Sequence, residues 1–200
     1  MEVPAHGRLW AADRRRQLLA TAAQLLESHG VDGVRIPDVA ERAGVSRAVV
    51  YRFFPNRQAI LLDLIEDFGA TLQTRVEDAL DERGLEDVDA LLGRIFSGIC
   101  DTIADQGAGV WRLMNSTGPD PEIESVAQKV RAEITQPWFA RVAEVTNAPA
   151  HSAVTVTAMI AATIPAVVEL WLAGHFEREE AVAYLERGVA SLIREFTIDR

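Results

Sequence analysis

The stretch that most constrains the fold is Val39–Leu61, VAERAGVSRAVVYRFFPNRQAIL, because each of its parts serves one sharp corner between two helices. Val39 and Ala40 close an apolar turn, and Gly44 supplies the left-handed residue at which a helix stops and the chain swings round. Val45 plugs the corner. Ser46 is placed to cap the next helix by accepting a hydrogen bond from an exposed backbone N–H. That helix is short, about Arg47 to Phe53, with Val50 and Phe53 or Phe54 inward at helical spacing. Arg47, Val49, Tyr51 and Arg52 are left for the outside. A second helix with basic and aromatic outward residues is suited to a major groove.

The residues after the corner narrow the reading. Tyr51-Arg52-Phe53-Phe54-Pro55-Asn56-Arg57-Gln58-Ala59-Ile60-Leu61 resembles the Tyr-x-x-Phe-x-x-Lys-x-x-Leu ending of the tetracycline-repressor (TetR) family of transcription regulators. Upstream, residues 16–26 (RQLLATAAQLL) and His29-Gly30 are similar to that family's first helix and its glycine stop. The resemblance covers about residues 14–65, and beyond Phe68 only length and helical pattern agree. Three departures stand out. Val34-Arg35-Ile36-Pro37 replaces the Thr or Ser that usually opens the family's second helix, with Pro37 suited to a first helical turn. Arg57 replaces the usual Lys, and the β-branched Val49 replaces a small residue.

The resemblance implies roles for named positions. Arg47 and Val49 should meet base edges, a guanine and a thymine methyl being the fitting partners. Tyr51 and Arg57 match phosphate-contacting positions, Arg52 suits either role, and Arg35 offers a charged contact where the hydroxyl is lost. With Ser46 and Ala48 these residues make the candidate DNA-binding set. The resemblance further implies a ligand cavity among the middle helices. Phe96, Cys100, Trp111, Met114, Trp138 and Glu169 are the candidates to line it, although each aromatic alone reads as ordinary core. Glu169, a carboxylate in an apolar helix, either faces solvent or holds a cationic or hydroxylated ligand group. The implied function is a ligand-responsive regulator, a repressor released from a palindromic operator by an unidentified small molecule. A helical protein acting through protein partners, or without a ligand, is the alternative.

Charge fits a DNA-binding head on a different body. The chain carries a net −10 and a pI near 4.9. Residues 1–57 hold nine arginines against six carboxylates, a net of +3, whereas residues 58–200 carry −13. A basic head meets phosphates and an acidic body repels them. Apolar residues make up 48% of the chain, and the abundance of Ala, Leu, Arg and Glu without strand-like alternation predicts an all-α fold. The expected division is a head over 1–57, with 1–12 as a loose arm, and a helical body over 58–200. The arm is either disordered or reaches a minor groove.

Helix one is expected over about 13–28, and a long helix from Asn56 to Arg83-Gly84. Further helices are expected over 88–106, 110–115, 122–146 (bent or interrupted near Pro137), 150–174 and 178–196. The last two carry apolar stripes, Ile160, Ile164, Val167 and Trp171, then Val182, Leu185, Val189, Leu192 and Phe196. Two such pairs related by a two-fold axis would bury them as a homodimer interface. The apolar run 153–173 contains Glu169 and lacks flanking basic residues, so it reads as an interface helix rather than a membrane span. The single cysteine, Cys100, excludes an internal disulfide and fits a reducing cytoplasm, as an inert buried thiol or a redox sensor. Isolated histidines and the lack of phosphate-loop or nucleophile motifs argue against an enzyme, a metal or a cofactor.

Overall fold

A computed structural model describes the backbone of residues 5–81, 88–115, 120–146 and 150–196, and it is all-α there. The helices are α1 (Ala5–Gly33), α2 (Ile36–Arg42), α3 (Arg47–Tyr51), α4 (Arg57–Asp81) and α5 (Val88–Gln106). They continue with α6 (Ala108–Asn115), α7 (Pro121–Thr146), α8 (Ala150–Leu172) and α9 (Arg178–Phe196). Two compact units result, one of residues 1–68 with 105–127, the other of 69–104 with 128–200. This differs from a division at residue 57, since the first unit also takes the start of α4 and all of α6.

The first unit is built on α1. Its core face, Leu18, Ala22, Leu25 and Leu26, is buried with Val39 and Ala40 of α2, Val50 of α3, and Ile60, Leu64 and Phe68 of α4. The loose arm expected over 1–12 is corrected over its described part, because α1 already begins at Ala5. Its Leu9-Trp10-Ala11-Ala12 segment favours helix, and the Trp10 ring faces two arginine guanidiniums. Gly30 breaks the helix geometry at φ 65°, as the glycine stop requires. Gly44, at φ 66°, ends α2 as expected, with its N–H donating to the Glu41 carbonyl and that of Val45 to the Ala40 carbonyl. Ser46 occupies the cap position of α3 with extended backbone but makes no side-chain cap bond, so its hydroxyl remains outward. Asn56 does cap α4, its Oδ1 accepting from the Ala59 N–H at 2.8 Å.

Helix α6 docks on α1 within this unit. Gly107, at φ 94°, ends α5, but Gly109 lies inside α6 rather than ending anything. Its amide donates to the Glu27 carboxylate, and a Cβ there would stand 3.0 Å from the Glu27 backbone nitrogen. Glycine is needed because two backbones meet. Asp120 caps α7 by accepting from the Glu122 N–H at 3.0 Å, while Gln58 at the start of α4 donates to Glu122 at 2.5 Å.

The second unit contains the rest of α4, most of α5 and α7, and all of α8 and α9. Leu92, Ile95, Phe96 and Ile103 of α5 are buried with Leu72 and Val76 of α4 and with Leu185 and Val189 of α9. Arg178 at the start of α9 donates to the Ser97 hydroxyl at 2.7 Å and pairs with Asp101, both on α5. α8 lies along α9 and contains Pro165, whose ring removes one backbone donor. α7 runs as one helix past Pro137, so no interruption occurs there. The expected stop at Arg83-Gly84 and the breaks at 118–119 and 147–149 lie outside the described residues.

Candidate nucleic-acid interface

Helix α3 is held from below by Val50 and, just beyond its end, by Phe54, both fully buried. The turn after α3 tightens, with the N–H groups of Phe53 and Phe54 both donating to the Val50 carbonyl. That places Phe54 rather than Phe53 in the core. The opposite side then faces outward: Ser46, Arg47, Ala48, Tyr51 and Arg52 are exposed and Val49 is half-buried. Tyr51 keeps 56% of its surface, which is high for a phenol with no role in packing.

Ion pairing sorts the head's arginines. Arg15 pairs with Asp63 and lies 5.7 Å over the Phe54 ring. Burial pushes the Asp63 carboxyl up from its ordinary value, the Arg15 charge pulls it back, and Glu66 and Asp67 add to the rise. Arg16 pairs with Asp13 at 3.0 Å, and Arg35 with Asp38 at 2.6 Å. Arg57 donates to the Val31 carbonyl at 2.6 Å and reaches Asp32 at 3.3 Å. Arg14, Arg42, Arg47 and Arg52 pair with no carboxylate among the described residues. Of the expected set, then, Arg47 and Arg52 present whole charges to a ligand, whereas Arg35 and Arg57 are already engaged. Arg57 ties the end of α1 to the start of α4, which a phosphate role alone would not require.

Residues 18–64 match the model of the bacterial regulatory proteins of the tetR family. The match is confined to the head and the start of α4. Among curated proteins, the chain is 32% identical over 124 residues to the nucleoid occlusion factor SlmA of Marinomonas sp. (strain MWYL1), covering 62% of this chain and 59% of that one. It is 37% identical over 73 residues to the HTH-type transcriptional regulator EthR of Mycobacterium tuberculosis (strain H37Rv), covering 34% of each. The aligned stretches thus span between a third and three-fifths of those relatives. Among solved structures, the fatty acid degradation regulator FadR of Bacillus halodurans shares the fold, with a TM-score of 0.76 at 16% identity over 94% of this chain and 96% of that one.

The other expected residues divide between the two units. Trp111 and Met114 are buried in the first unit, where the Trp111 ring lies 6.3 Å from that of Phe68. The Trp111 indole nitrogen is buried without a hydrogen-bond partner among the described residues. Phe96 and Cys100 are buried in the second unit, and the Trp138 side chain lies outside the described residues. Burial pushes the Cys100 thiol up to about 11 against the opposing charge of Arg178. Glu169 is on the exposed side of α8.

Part of each expected interface stripe is core of the single chain. Ile160, Leu185 and Val189 are buried within their own subunit, and Ile164, Val167, Trp171, Val182, Leu192 and Phe196 are partly covered. Leu185 and Val189 of the α9 stripe face inward, while Val182, Leu192 and Phe196 keep part of their surface. What stays open on α8 is another face, Val154, Ala158, Ala162, Ala166 and Leu170 at four-residue spacing, together with Met159. Residues 152–172 are long and apolar enough by composition to cross a bilayer, with mean hydropathy 1.8, but core and interface helices meet the same test.

Sequence reasoning missed Trp10, Arg14 and Arg42 on the head and the Glu27–Gly109 contact. Trp10 and Arg14 stand at helical i,i+4 spacing, a signal readable only once the helix is carried back past Asp13. A cleft of about 460 Å³ beside α2, lined by His29, Arg35, Asp38 and Arg42 among others, mixes charges of both signs. No group of three metal-ligating side chains occurs among the described residues.

Proposed function

We propose that this chain is a homodimeric transcription regulator, a repressor that leaves a palindromic operator when a small molecule binds its helical body. The carrying observation is the surface of α3, where Arg47, Tyr51 and Arg52 stand exposed on a helix anchored by Val50 and Phe54. Two such helices read two half-sites when spaced about one helical turn apart, roughly 34–36 Å. Pairing of two copies through the open face of α8 supports that arrangement, since a long apolar helix face does not stay in water. The lone buried cysteine suits a reducing cytoplasm.

The effector is an apolar molecule bearing an oxygen acceptor. The unpaired, buried Trp111 N–H supports this class, because such a donor is costly until a partner reaches it. The fatty acid degradation regulator that shares the fold lends the acyl class some weight. For release, a ligand with a 100-fold preference for the non-binding state supplies about 2.7 kcal/mol, within the usual range of coupling energies.

The test is fluorescence anisotropy on DNA from upstream of the gene. Binding that weakens steeply with salt and is reversed by a ligand found in a thermal-shift screen supports the proposal. A protein indifferent to every duplex at low salt removes it. A second reading, a DNA-bound protein that acts through a protein partner, is favoured by the length of the SlmA alignment, which at 124 residues exceeds the head. Operator binding that no ligand alters would favour that second reading.

A further inference from the structure

Trp10 keeps 47% of its surface exposed, two turns before α1 reaches its first core residue, Leu18. An indole so placed has a reason to be there only if it holds something. Arg14, one turn along the same helix, has its guanidinium carbon 5.4 Å from the Trp10 ring centroid. Arg52, the residue that ends recognition helix α3, lies 5.8 Å from the same centroid. The first contact is the ordinary i,i+4 neighbour of a helix surface. The second spans forty-two positions of sequence and is therefore made by the fold. Neither cation has a carboxylate among the described residues, while Arg15, Arg16, Arg35 and Arg57 all have partners. Two like charges over one ring repel each other, and an anion between or beside them turns that repulsion into attraction.

We propose that Trp10, Arg14 and Arg52 form a clamp for the DNA backbone beside the recognition helix, the two guanidiniums gripping phosphate and Trp10 acting as the positioning residue. This rests on the DNA-binding reading of α3 and extends it to the N-terminal end of α1. Exposed arginines ordinarily lose side-chain freedom on binding, and an aromatic face that holds them beforehand lowers that cost. Phosphate is the ligand favoured here because Arg52 adjoins Tyr51 at the groove-facing end of α3 and because planar guanidinium matches phosphate oxygens.

The experiment is anisotropy titration of an operator duplex and an unrelated duplex at several salt concentrations, with circular dichroism and melting as folding controls. Trp10→Ala should weaken both duplexes alike, by about 3- to 10-fold, since phosphate carries no sequence. Trp10→Phe should recover most of the loss. Arg14→Ala and Arg52→Ala should each lower the salt slope by about one. Adding Trp10→Ala to the double variant Arg14→Ala/Arg52→Ala should weaken binding only slightly further, because Trp10 acts through those two arginines. A Trp10→Ala protein that melts and binds like the parent overturns the clamp while leaving the recognition helix standing. So does a loss confined to one duplex, or a full Trp10→Ala loss in the Arg14→Ala/Arg52→Ala background. A parent protein that binds neither duplex overturns both readings.

Discussion

Arg57 bonds to the Val31 carbonyl with half of its side chain covered, and that single contact changes what its loss should do. Arg57→Ala should lower stability by about 1–2 kcal/mol, since a carbonyl loses a charged donor. Urea unfolding measures this, and the salt slope of DNA binding should stay near that of the parent. Arg47→Ala should behave in the opposite way, costing about 1–3 kcal/mol of operator affinity and flattening preference at one base pair while melting is unchanged. A reduced salt slope in Arg57→Ala would mean that its charge reaches phosphate despite Val31. Cys100 provides a pH test in the other unit. Its thiol is raised from 9.0 to about 11 by burial, so folding favours the protonated form. The stability this represents is complete below pH 9 and declines as pH rises through the interval up to about 11. Urea midpoints should therefore fall between pH 8 and pH 10.5 more in the parent than in Cys100→Ala. At pH 8 a thiol reagent should label the native protein no faster than it opens.

Among elements, the contact of α6 with α1 has the least room. Gly109→Ala would set a methyl carbon 3.0 Å from the Glu27 nitrogen and 3.1 Å from its Cα, where backbone cannot yield as a side chain can. A loss of about 1–3 kcal/mol is expected from such overpacking. Gly44→Ala should cost about 1–2 kcal/mol for a different reason, the left-handed backbone alone, because nothing lies within 4 Å of its absent Cβ. Thermal melts of the two variants check both figures, and Glu27→Ala, which leaves the Glu27 backbone in place, should relieve neither cost. The two glycines also show where sequence was legible. The corner at Gly44 is local, so spacing around it reveals α2, α3 and their buried Val50. Gly109 answers to Glu27, eighty-two residues away, and no local pattern separates a close approach from a helix stop. The same limit hid Arg57's carbonyl bond and Trp10's contact with Arg52. Helices α5 and α9 were legible to the residue because long apolar periodicity needs no partner to be read.

For the proposed dimer, the matter to settle is which face of the body another copy covers. The periodicity of α9 is strong, but periodicity reports that a face is buried and not by which chain. Its Leu185 and Val189 prove fully buried inside their own subunit, so Leu185→Glu should unfold the protein rather than merely separate two copies. Met159 and Leu170 remain 40% and 45% exposed on α8 and should tolerate change when alone. The variant Met159→Glu/Leu170→Glu should keep its helical spectrum yet sediment as a monomer, and its operator affinity should fall by an order of magnitude or more as the second half-site contact is lost. A folded double variant that stays dimeric would move the seam away from this face.

The open apolar length of α8 also bears on how the protein is made. Met159 and Leu170 stay 40% and 45% exposed on the single chain, so in the proposed dimer each new copy waits for its twin with that face in water. Encounter is second order, and at typical association rates a copy at nanomolar concentration waits on the order of minutes. Proteases and chaperones act within that time. Scarce copies are then lost in greater proportion than abundant ones, and the amount of assembled regulator should rise more steeply than its rate of synthesis.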